Sequence, residues 1–360
     1  VVLDEAAQRA LEPWFPGLMQ ALPWRHFGRK NVGSLYAILN GAESVWDFDD
    51  DNILKRSVDL TPPSAAQRVY LRSNCSVFNP YPHMGAGVTT WPRGYPLNLI
   101  YHPCAFATCA EATTDVAIFQ SLADHEPDVD GIFRLTHIVP FDFHPSATES
   151  FALSRGVLTP FNAQATLFRE PALWALLLPV SVHGRVSDIW RSYIVQRLLW
   201  DVGATVAFMP PRVTQIRNPH NPLADMRAED DLYFKTDALL AFLQSWESEE
   251  PTLPGRFVAL VTALYERDFL GLRDVLATFE WLSALQRVGY RFPVPARATR
   301  DLVDSDSASS HCGSALSTHQ RQVVRQAEPA VAAAASPSPS GSPAPVPSRS
   351  PIPSASSSPK

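Results

Sequence analysis

The sequence predicts an α/β fold in which a mixed sheet is flanked by helices and followed by a helical cap. Two segments indicate this fold, because in each an amphipathic helix ends at a glycine and a β-prone run follows. The first segment is residues 29–52 and the second is residues 187–209. Three further amphipathic helices, near residues 231–247, 254–269 and 271–288, predict the cap.

The composition is that of a globular protein without a nucleic-acid surface. Hydrophobic residues make up 46% of the 360 residues and charged residues 18%. The net charge is -6 and no basic face is evident, which argues against a nucleic-acid partner. We expect one domain over residues 1–295, with the helical cap at 231–290. Residues 296–360 are rich in Ser, Pro and Ala and predict a disordered tail.

The first segment predicts a helix followed by a strand that ends in carboxylates. Apolar residues recur at the spacing of one helix face up to Leu39, and Gly41 follows as a left-handed cap. The β-prone run Ser44–Phe48 then leads to four acidic residues: Asp47, Asp49, Asp50 and Asp51. A hard divalent cation, Mn²⁺ or Mg²⁺, takes oxygen ligands of this kind. We therefore expect Asp47, Asp49 and Asp50 to bind a metal ion together with a nucleotide diphosphate.

Three other interpretations compete for this acidic cluster. An EF-hand calcium loop needs Gly and Glu where the chain has Asn52 and Val58, so that interpretation fails. A phosphatase of the haloacid dehalogenase type needs Thr or Val where the chain has Asp51, which argues against it. A solvated acidic turn at the end of a strand remains open.

Six blocks of sequence carry a resemblance to a known family. They are R-K-N-V-G-S-L-Y-A-I (29–38), F-N-P-Y-P-H-M-G (78–85), W-P-R-G-Y-P-L (91–97), P-D-V-D-G-I-F-R (127–134), L-L-P-V-S-V (177–182) and D-I-W-R-S-Y-I-V-Q-R-L-L-W-D-V-G (188–203). In this order the blocks resemble the STELLO family of glycosyltransferases over residues 1–293. The last block is more distantly similar to the plant reversibly glycosylated polypeptides, whose motif has Gly where this chain has Ser192.

The resemblance implies a GT-A-like, Rossmann-type fold and metal-dependent transfer of a sugar. The donor would be a nucleotide sugar of the UDP type, and the acceptor a glycan or a protein. Family members are Golgi proteins with an N-terminal membrane anchor, which implies a lumenal domain cut from a longer chain. Residues 1–26 would then be the end of a nucleotide-binding region whose opening strand precedes Val1.

The same resemblance allows a second interpretation. The family is associated with cellulose synthase assembly and hence with cell-wall biogenesis, so cellulose synthase or other glycosyltransferases are expected partners. A catalytically idle scaffold for such assemblies is therefore the alternative to an enzyme.

Two groups of side chains are expected to bind the donor. Arg29, Lys30 and Asn31 open the first helix, where cationic and amide donors suit an anionic ligand. Arg93 lies in the Pro- and Gly-rich stretch 58–101, which predicts a long shaped loop. Its guanidinium fork matches phosphate oxygens, while Trp91 in the same loop could stack on a sugar.

The start of the second segment is expected to serve the acceptor. Asp188 lies in the first turn of the predicted helix, where the helix dipole favours its ionised form. We expect it to act as general base or to orient the acceptor. Arg191 follows one turn later and could hold Asp188 or reach a phosphate. Trp190 and Tyr193 offer flat faces for a sugar, although both could simply fill the core.

The middle of the chain gives weaker patterns. Residues 113–125 predict a helix, and residues 131–139 predict a strand that follows a solvated turn with Asp128 and Asp130. Residues 157–167 predict an edge strand and loop near the acceptor. The four cysteines, which lack zinc spacing, are Cys75, Cys104, Cys109 and Cys312. They are expected to be buried thiols, although Cys104 and Cys109 could pair in a lumenal compartment.

Overall fold

The computed structural model describes residues 1–55, 59–61, 63–64, 66–71, 76–100, 102 and 109–295. Within these ranges the helices are α1 Glu5–Arg9, α2 Pro16–Ala21, α3 Lys30–Leu39, α4 Gly131–Thr136, α5 Gly184–Asp201, α6 Pro222–Ala228, α7 Asp230–Ser245, α8 Leu253–Tyr265 and α9 Leu272–Arg287. The strands are β1 Ser44–Asp47, β2 Asn52–Leu54, β3 Ala66–Leu71, β4 Cys109–His125, β5 Phe151–Leu153, β6 Thr166–Arg169 and β7 Thr205–Gln215. No helix in the described ranges has the length and apolar character needed to cross a bilayer.

The described strands form one mixed sheet in the order β1-β6-β4-β3-β5-β7-β2. Strand β4 also pairs directly with β7, so β4, β3, β5 and β7 close a ring of paired strands. Helices pack around this sheet, and the predicted α/β class with a mixed sheet flanked by helices is confirmed.

Helix α5 is the central helix of the core. Every residue from Val186 to Asp201 is buried, because the helix packs against the sheet on one side and against α7 and α8 on the other. Seven of these buried residues are polar or charged: Ser187, Asp188, Arg191, Ser192, Gln196, Arg197 and Asp201. Buried polar groups need partners, so the start of α5 organises a hydrogen-bond network.

The predictions for both glycine-ended helices and for the helical cap are confirmed. Gly41 follows α3 with φ +82° and Gly203 follows α5 with φ +72°, the left-handed geometry that favours glycine. Helices α7, α8 and α9 form the cap, and α8 packs on α9. The first residues of the chain join the same layer, because α2 also packs on α9.

The predicted helix over residues 113–125 is wrong, since this stretch lies in strand β4. Every residue from Val116 to Ala123 is buried, because β4 is covered on both faces and pairs with β3, β6 and β7. A short run of apolar residues that is buried on both sides shows neither the strand nor the helix period, so its sequence pattern is ambiguous.

The predicted strand over residues 131–139 is also wrong. Asp130 instead starts helix α4, and its Oδ1 accepts a hydrogen bond from the backbone N–H of Phe133 at 2.7 Å. This is a helix N-cap, and Asp130 is completely buried rather than part of a solvated turn.

Two predicted loops need correction. The stretch 58–101 contains strand β3 as well as loop. Residues 157–165 form a buried loop that leads into β6, and β6 lies between β1 and β4 rather than at the edge of the sheet. The predicted disordered tail, Cys75, Cys104, Cys312 and the side chain of Cys109 lie outside the described part of the chain.

Candidate functional site

Three strands end at one edge of the sheet. Strands β4 and β7 are parallel, and β1 runs in the same direction because both β1 and β4 are antiparallel to β6. Their carboxyl ends are Asp47, His125 and Gln215. Ligands of α/β proteins bind outside the carboxyl ends of such strands, so this edge, called the carboxyl edge below, is the candidate site.

The acidic turn, Asp49–Asp51, connects two of these strand ends. It is closed by a hydrogen bond from the backbone N–H of Asn52 to Asp49 O at 3.2 Å. Gln215 Nε2 donates to Asp51 Oδ2 at 3.0 Å, and the N–H of Ile216 donates to Asp51 O at 3.3 Å. The turn that follows β1 is therefore fixed against the end of β7.

Lys30 links the start of α3 to the end of β1. Its ammonium group pairs with Asp47 and lies 3.6 Å from Asp49 Oδ1. It also donates to the backbone oxygens of Phe48 at 3.1 Å and Ala163 at 3.2 Å. An ammonium group has three N–H donors, so these partners occupy Lys30 fully, although it lies at the carboxyl edge.

Arg29 and Asn31, the other residues predicted to face the donor, point into the fold. The guanidinium of Arg29 donates to Gln8 Oε1 at 2.8 Å and lies 3.8 Å from the ring centre of Trp24. Asn31 is fully buried and exchanges two hydrogen bonds with the backbone of Leu178, at 3.1 and 2.8 Å. These contacts tie α3 to neighbouring loops and leave neither side chain facing a ligand.

Asp47 is enclosed by cations. Lys30 pairs with one oxygen, and Arg191 Nη1 lies 3.7 Å from Oδ2. Arg191 is 2% exposed, and its Nη2 donates to Asn162 O at 3.3 Å. Burial lowers the pKa of Arg191, while Asp47 and Asp188 oppose that effect. Arg191 therefore neutralises Asp47 from inside the protein instead of facing a phosphate.

Asp49 differs from Asp47 because 45% of its side chain is exposed. Desolvation of the carboxylate raises its pKa to about 6, against the opposing effect of Lys30. The carboxylates of Asp188, Asp47 and Asp51 add to this increase. A carboxylate crowded by other carboxylates gains from a cation, so Asp49 is the member of the acidic cluster best suited to meet one.

Arg93 and Asp188 form a two-pronged ion pair at the start of α5. Arg93 Nη1 and Nη2 donate to Asp188 Oδ1 and Oδ2 at 3.1 and 2.9 Å. The other side of the guanidinium faces Asp128, with distances of 2.7 Å from Nε to Oδ1 and 3.0 Å from Nη2 to Oδ2. All three side chains are largely buried. The sequence predicts that Arg93 binds phosphate, but in the structure the two carboxylates occupy its guanidinium.

Arg93, Asp128 and Asp188, called the triad below, stabilise one another's charges. Burial disfavours the cation, yet Asp128 and Asp188 together raise the pKa of Arg93 well above its ordinary value. Burial likewise disfavours the Asp128 carboxylate, but Arg93 and Asn162 lower its pKa. Asp188 also accepts a hydrogen bond from the N–H of Ala163 at 3.2 Å. Both Asp188 oxygens are therefore held by the protein.

The aromatic residues predicted to bind the acceptor are core residues. Trp91 is 3% exposed and donates from Nε1 to Asp130 Oδ2 at 2.6 Å. Trp190 and Tyr193 are completely buried, and the Tyr193 hydroxyl donates to Gly94 O at 2.8 Å. None of the three presents a face on which a sugar could stack in this structure, because each ring packs inside the domain.

Sequence reasoning missed a polar cleft beside the triad. The cleft encloses about 300 Å³ of space, part of it open to solvent, and its lining includes Arg93, Asp128, Asn162 and Gln164. Asn162 Nδ2 donates to Asp128 Oδ2 at 2.8 Å. Gln164 is 4% exposed, and its Nε2 has no hydrogen-bond partner among the described residues. The available signal was the acidic pair Asp128 and Asp130 in P-D-V-D. The pair was not recognised because β4, the strand that precedes it, was predicted as a helix.

The donor set suits a cation shared with a ligand, not one held by protein alone. Among the described residues, no three His, Cys, Asp or Glu side chains lie close enough to hold a metal ion. Asp47 is buried and already paired, whereas Asp49 and Asp50 are exposed. Hard cations such as Mg²⁺ often use one or two carboxylates and complete their shell with substrate phosphates. Asp49 and Asp50 fit that chemistry, and Asp47 does not.

Comparison with known proteins agrees with the family resemblance in the sequence. A family model described as STELLO glycosyltransferases matches residues 185–321. "Probable glycosyltransferase STELLO2" of Arabidopsis thaliana is 35% identical over 298 residues, and "Probable glycosyltransferase STELLO1" of the same plant is 34% identical over 298 residues. Each match covers 77% of this chain and 38% of the relative, so the chain spans well under half the length of these proteins. The resemblance is confirmed: this chain carries a domain of the STELLO glycosyltransferases.

Proposed function

We propose that this chain is the catalytic domain of a glycosyltransferase that moves a sugar from a nucleotide-sugar donor, of the UDP type, to a glycan or protein acceptor. The observation that carries the proposal is the exposed Asp49 at the carboxyl edge, surrounded by carboxylates that are already paired. A fold that needed these acidic residues only for stability would have no use for an exposed carboxylate that shares its cation, Lys30, with Asp47 and has a raised pKa.

The donor diphosphate would lie against the acidic turn. Asp49 and Asp50 would hold a Mn²⁺ or Mg²⁺ ion jointly with the phosphates, and the bound ion would supply positive charge to the leaving nucleoside diphosphate. Lys30 fixes the position of Asp47 and contributes positive charge 3.6 Å from Asp49. Asp47 would not bind the ion itself, because it is buried and already paired with Lys30.

Asp188 would orient the acceptor hydroxyl. Its oxygens accept hydrogen bonds from Arg93 and from the N–H of Ala163, which fixes the carboxylate in one orientation. Both carboxylate oxygens are already occupied by the Arg93 fork, so removing a proton from an acceptor would require that pair to open. These contacts favour the orienting role over that of general base, the other role expected from the sequence.

The proposal extends to the biological setting. On the family resemblance, we propose that the domain acts in the Golgi lumen in the synthesis of cell-wall polysaccharide. Other glycosyltransferases or cellulose synthase would be its partners there.

A catalytically idle scaffold is the second candidate function. One observation favours it: Lys30, Arg191 and Arg93 neutralise Asp47 and Asp188 within the protein. Clustered carboxylates are therefore compatible with a stable fold that binds no substrate. Only the acidic turn argues for an enzyme over a scaffold.

A donor-hydrolysis assay tests the two functions. The 360-residue chain is incubated with a panel of nucleotide sugars in Mn²⁺ or in EDTA, and the release of nucleoside diphosphate is measured. We expect release from one donor class, dependent on the metal ion and lost in Asp49→Asn. Release that is absent for every donor, with no binding of UDP, would favour the scaffold.

A further inference from the structure

The backbone of Arg217 lies next to the acidic turn. It follows the end of β7 by two residues. The two residues before it, Gln215 and Ile216, make the hydrogen bonds that hold Asp51. The backbone therefore brings Arg217 next to the acidic turn, and the charges nearest its guanidinium are those of Arg134, Arg185, Asp128 and Arg93.

The charge of Arg217 has no counterion. Among the described residues no carboxylate lies within ion-pair distance of it, and its Nη1 is buried without a hydrogen-bond partner. Neighbouring arginines are paired: Arg134 with Glu126, and Arg185 with Glu229. A partly buried guanidinium without a counterion is unfavourable, so the surroundings of Arg217 lack an anion that the other arginines have.

The charges around Arg217 also favour a bound anion. Burial lowers the pKa of Arg217, and the positive charges of Arg134, Arg185 and Arg93 lower it further. Asp128 opposes these effects, but it is already engaged by Arg93. A bound anion would restore a favourable environment for the guanidinium.

We propose that Arg217 binds a phosphate group of a nucleoside diphosphate on the β7 side of the acidic turn. A guanidinium fork matches two phosphate oxygens, and the acidic turn beside it carries Asp49 and Asp50 for the cation. This site rests on the proposed function and deepens it, because it adds a protein cation to a diphosphate site otherwise formed by carboxylates and metal ion.

The test compares Arg217→Gln with a matched control, Arg227→Gln, which removes the same charge from an exposed position on α6. Calorimetric titrations use UDP, uridine and inorganic pyrophosphate, each in Mn²⁺ and in EDTA. We expect Arg217→Gln to weaken UDP and pyrophosphate roughly 10- to 100-fold and to leave uridine unchanged. Arg227→Gln should bind all three like the wild type. Arg217→Lys, which keeps the charge and loses the fork, should fall between.

The outcomes separate this inference from the proposed function. If the wild type binds UDP and Arg217→Gln binds it equally well, the phosphate site is overturned and the proposed function survives. If the wild type binds pyrophosphate through Arg217 but shows no preference for UDP, the anion site stands and the nucleotide-dependent function fails. If neither ligand binds, both fail. Thermal melting of Arg217→Gln controls for folding, and it should not fall below the wild type because an unpaired buried charge is removed.

Discussion

The two halves of the carboxyl edge differ in how far the protein satisfies its own charges. In the paired half, formed by Lys30, Asp47, Arg93, Asp128 and Asp188, every side chain is engaged in an ion pair. In the open half, formed by Asp49, Asp50 and Arg217, the carboxylates are exposed and the guanidinium has no counterion among the described residues. The paired half builds the site, and the open half is where a ligand would complete it.

The difference between the two halves shows that the type of a side chain does not decide whether it is available to bind a ligand. Arg93 and Arg191 have the chemistry to bind phosphate, yet both are buried in ion pairs, Arg93 with Asp128 and Asp188 and Arg191 with Asp47. Arg217 has the same chemistry, but among the described residues it forms no ion pair and its Nη1 has no hydrogen-bond partner. A charged side chain is therefore better judged by whether the protein supplies its counterion than by its place in a motif.

The largest expected effect is the loss of Arg93. In Arg93→Gln the buried carboxylates of Asp128 and Asp188 lose their shared cation, and unpaired buried charge typically costs about 3–5 kcal/mol. We expect the free energy of unfolding, measured by urea denaturation, to fall by about this amount. Arg93→Lys keeps the charge without the fork and should recover part of the loss. A decrease below about 1 kcal/mol in Arg93→Gln would show that the paired half does not stabilise the fold.

A pH-dependent effect of intermediate size is expected from Asp130, which lies beneath the paired half. Burial, with a smaller contribution from Glu229 and Asp128, raises its pKa to about 6. Because the folded-state pKa lies above the unfolded value of about 3.9, Asp130 contributes its stability in full below about pH 4. That contribution is lost as the pH rises through about 6, a change of roughly 2–3 kcal/mol.

Urea denaturation of the wild type and Asp130→Asn between pH 4 and 7 tests this expectation. The variant has no proton to lose, so the difference in the free energy of unfolding should shift in favour of Asp130→Asn as the pH rises. A difference that is constant across this range would mean that Asp130 titrates normally.

The smallest expected effect belongs to the open half. Asp50 is exposed, and surface substitutions away from special contacts usually change stability by less than about 0.5 kcal/mol. Asp50→Asn should therefore unfold at the same urea concentration as the wild type. A stability loss above about 1.5 kcal/mol would place Asp50 in the structural network and erase the contrast between the halves.

The helices could be predicted from sequence where one face of the helix is apolar. Helices α3, α7, α8 and α9 show this periodicity and were found at nearly the predicted positions. Strand β4 could not be predicted, because a strand buried on both faces has no alternation. Helix α4 was missed because its cap, Asp130, follows the strand only after a short loop, and the intervening Asp128 gave the appearance of a turn.

The location of the candidate site could be predicted, but the availability of its residues could not. The end of β1 and the first turns of α5 do meet at the carboxyl edge, where Arg191 Nη1 lies 3.7 Å from Asp47 Oδ2. Trp190 and Tyr193 lie on the same helix as Asp188, yet they point into the core. Which side of a helix faces a ligand depends on what the rest of the chain packs against it, and local spacing does not contain that information.

The most direct test of the open half is the binding of UDP in the presence of Mn²⁺ to Asp49→Asn. Glu43→Gln is the matched control, since Glu43 is an exposed carboxylate just before β1. Isothermal titration calorimetry should show that the wild type and Glu43→Gln bind UDP with equal affinity, that EDTA removes this binding, and that Asp49→Asn abolishes it without a change in melting temperature. Unchanged, metal-dependent binding of UDP by Asp49→Asn would contradict the account and leave the acidic cluster as a solvated turn.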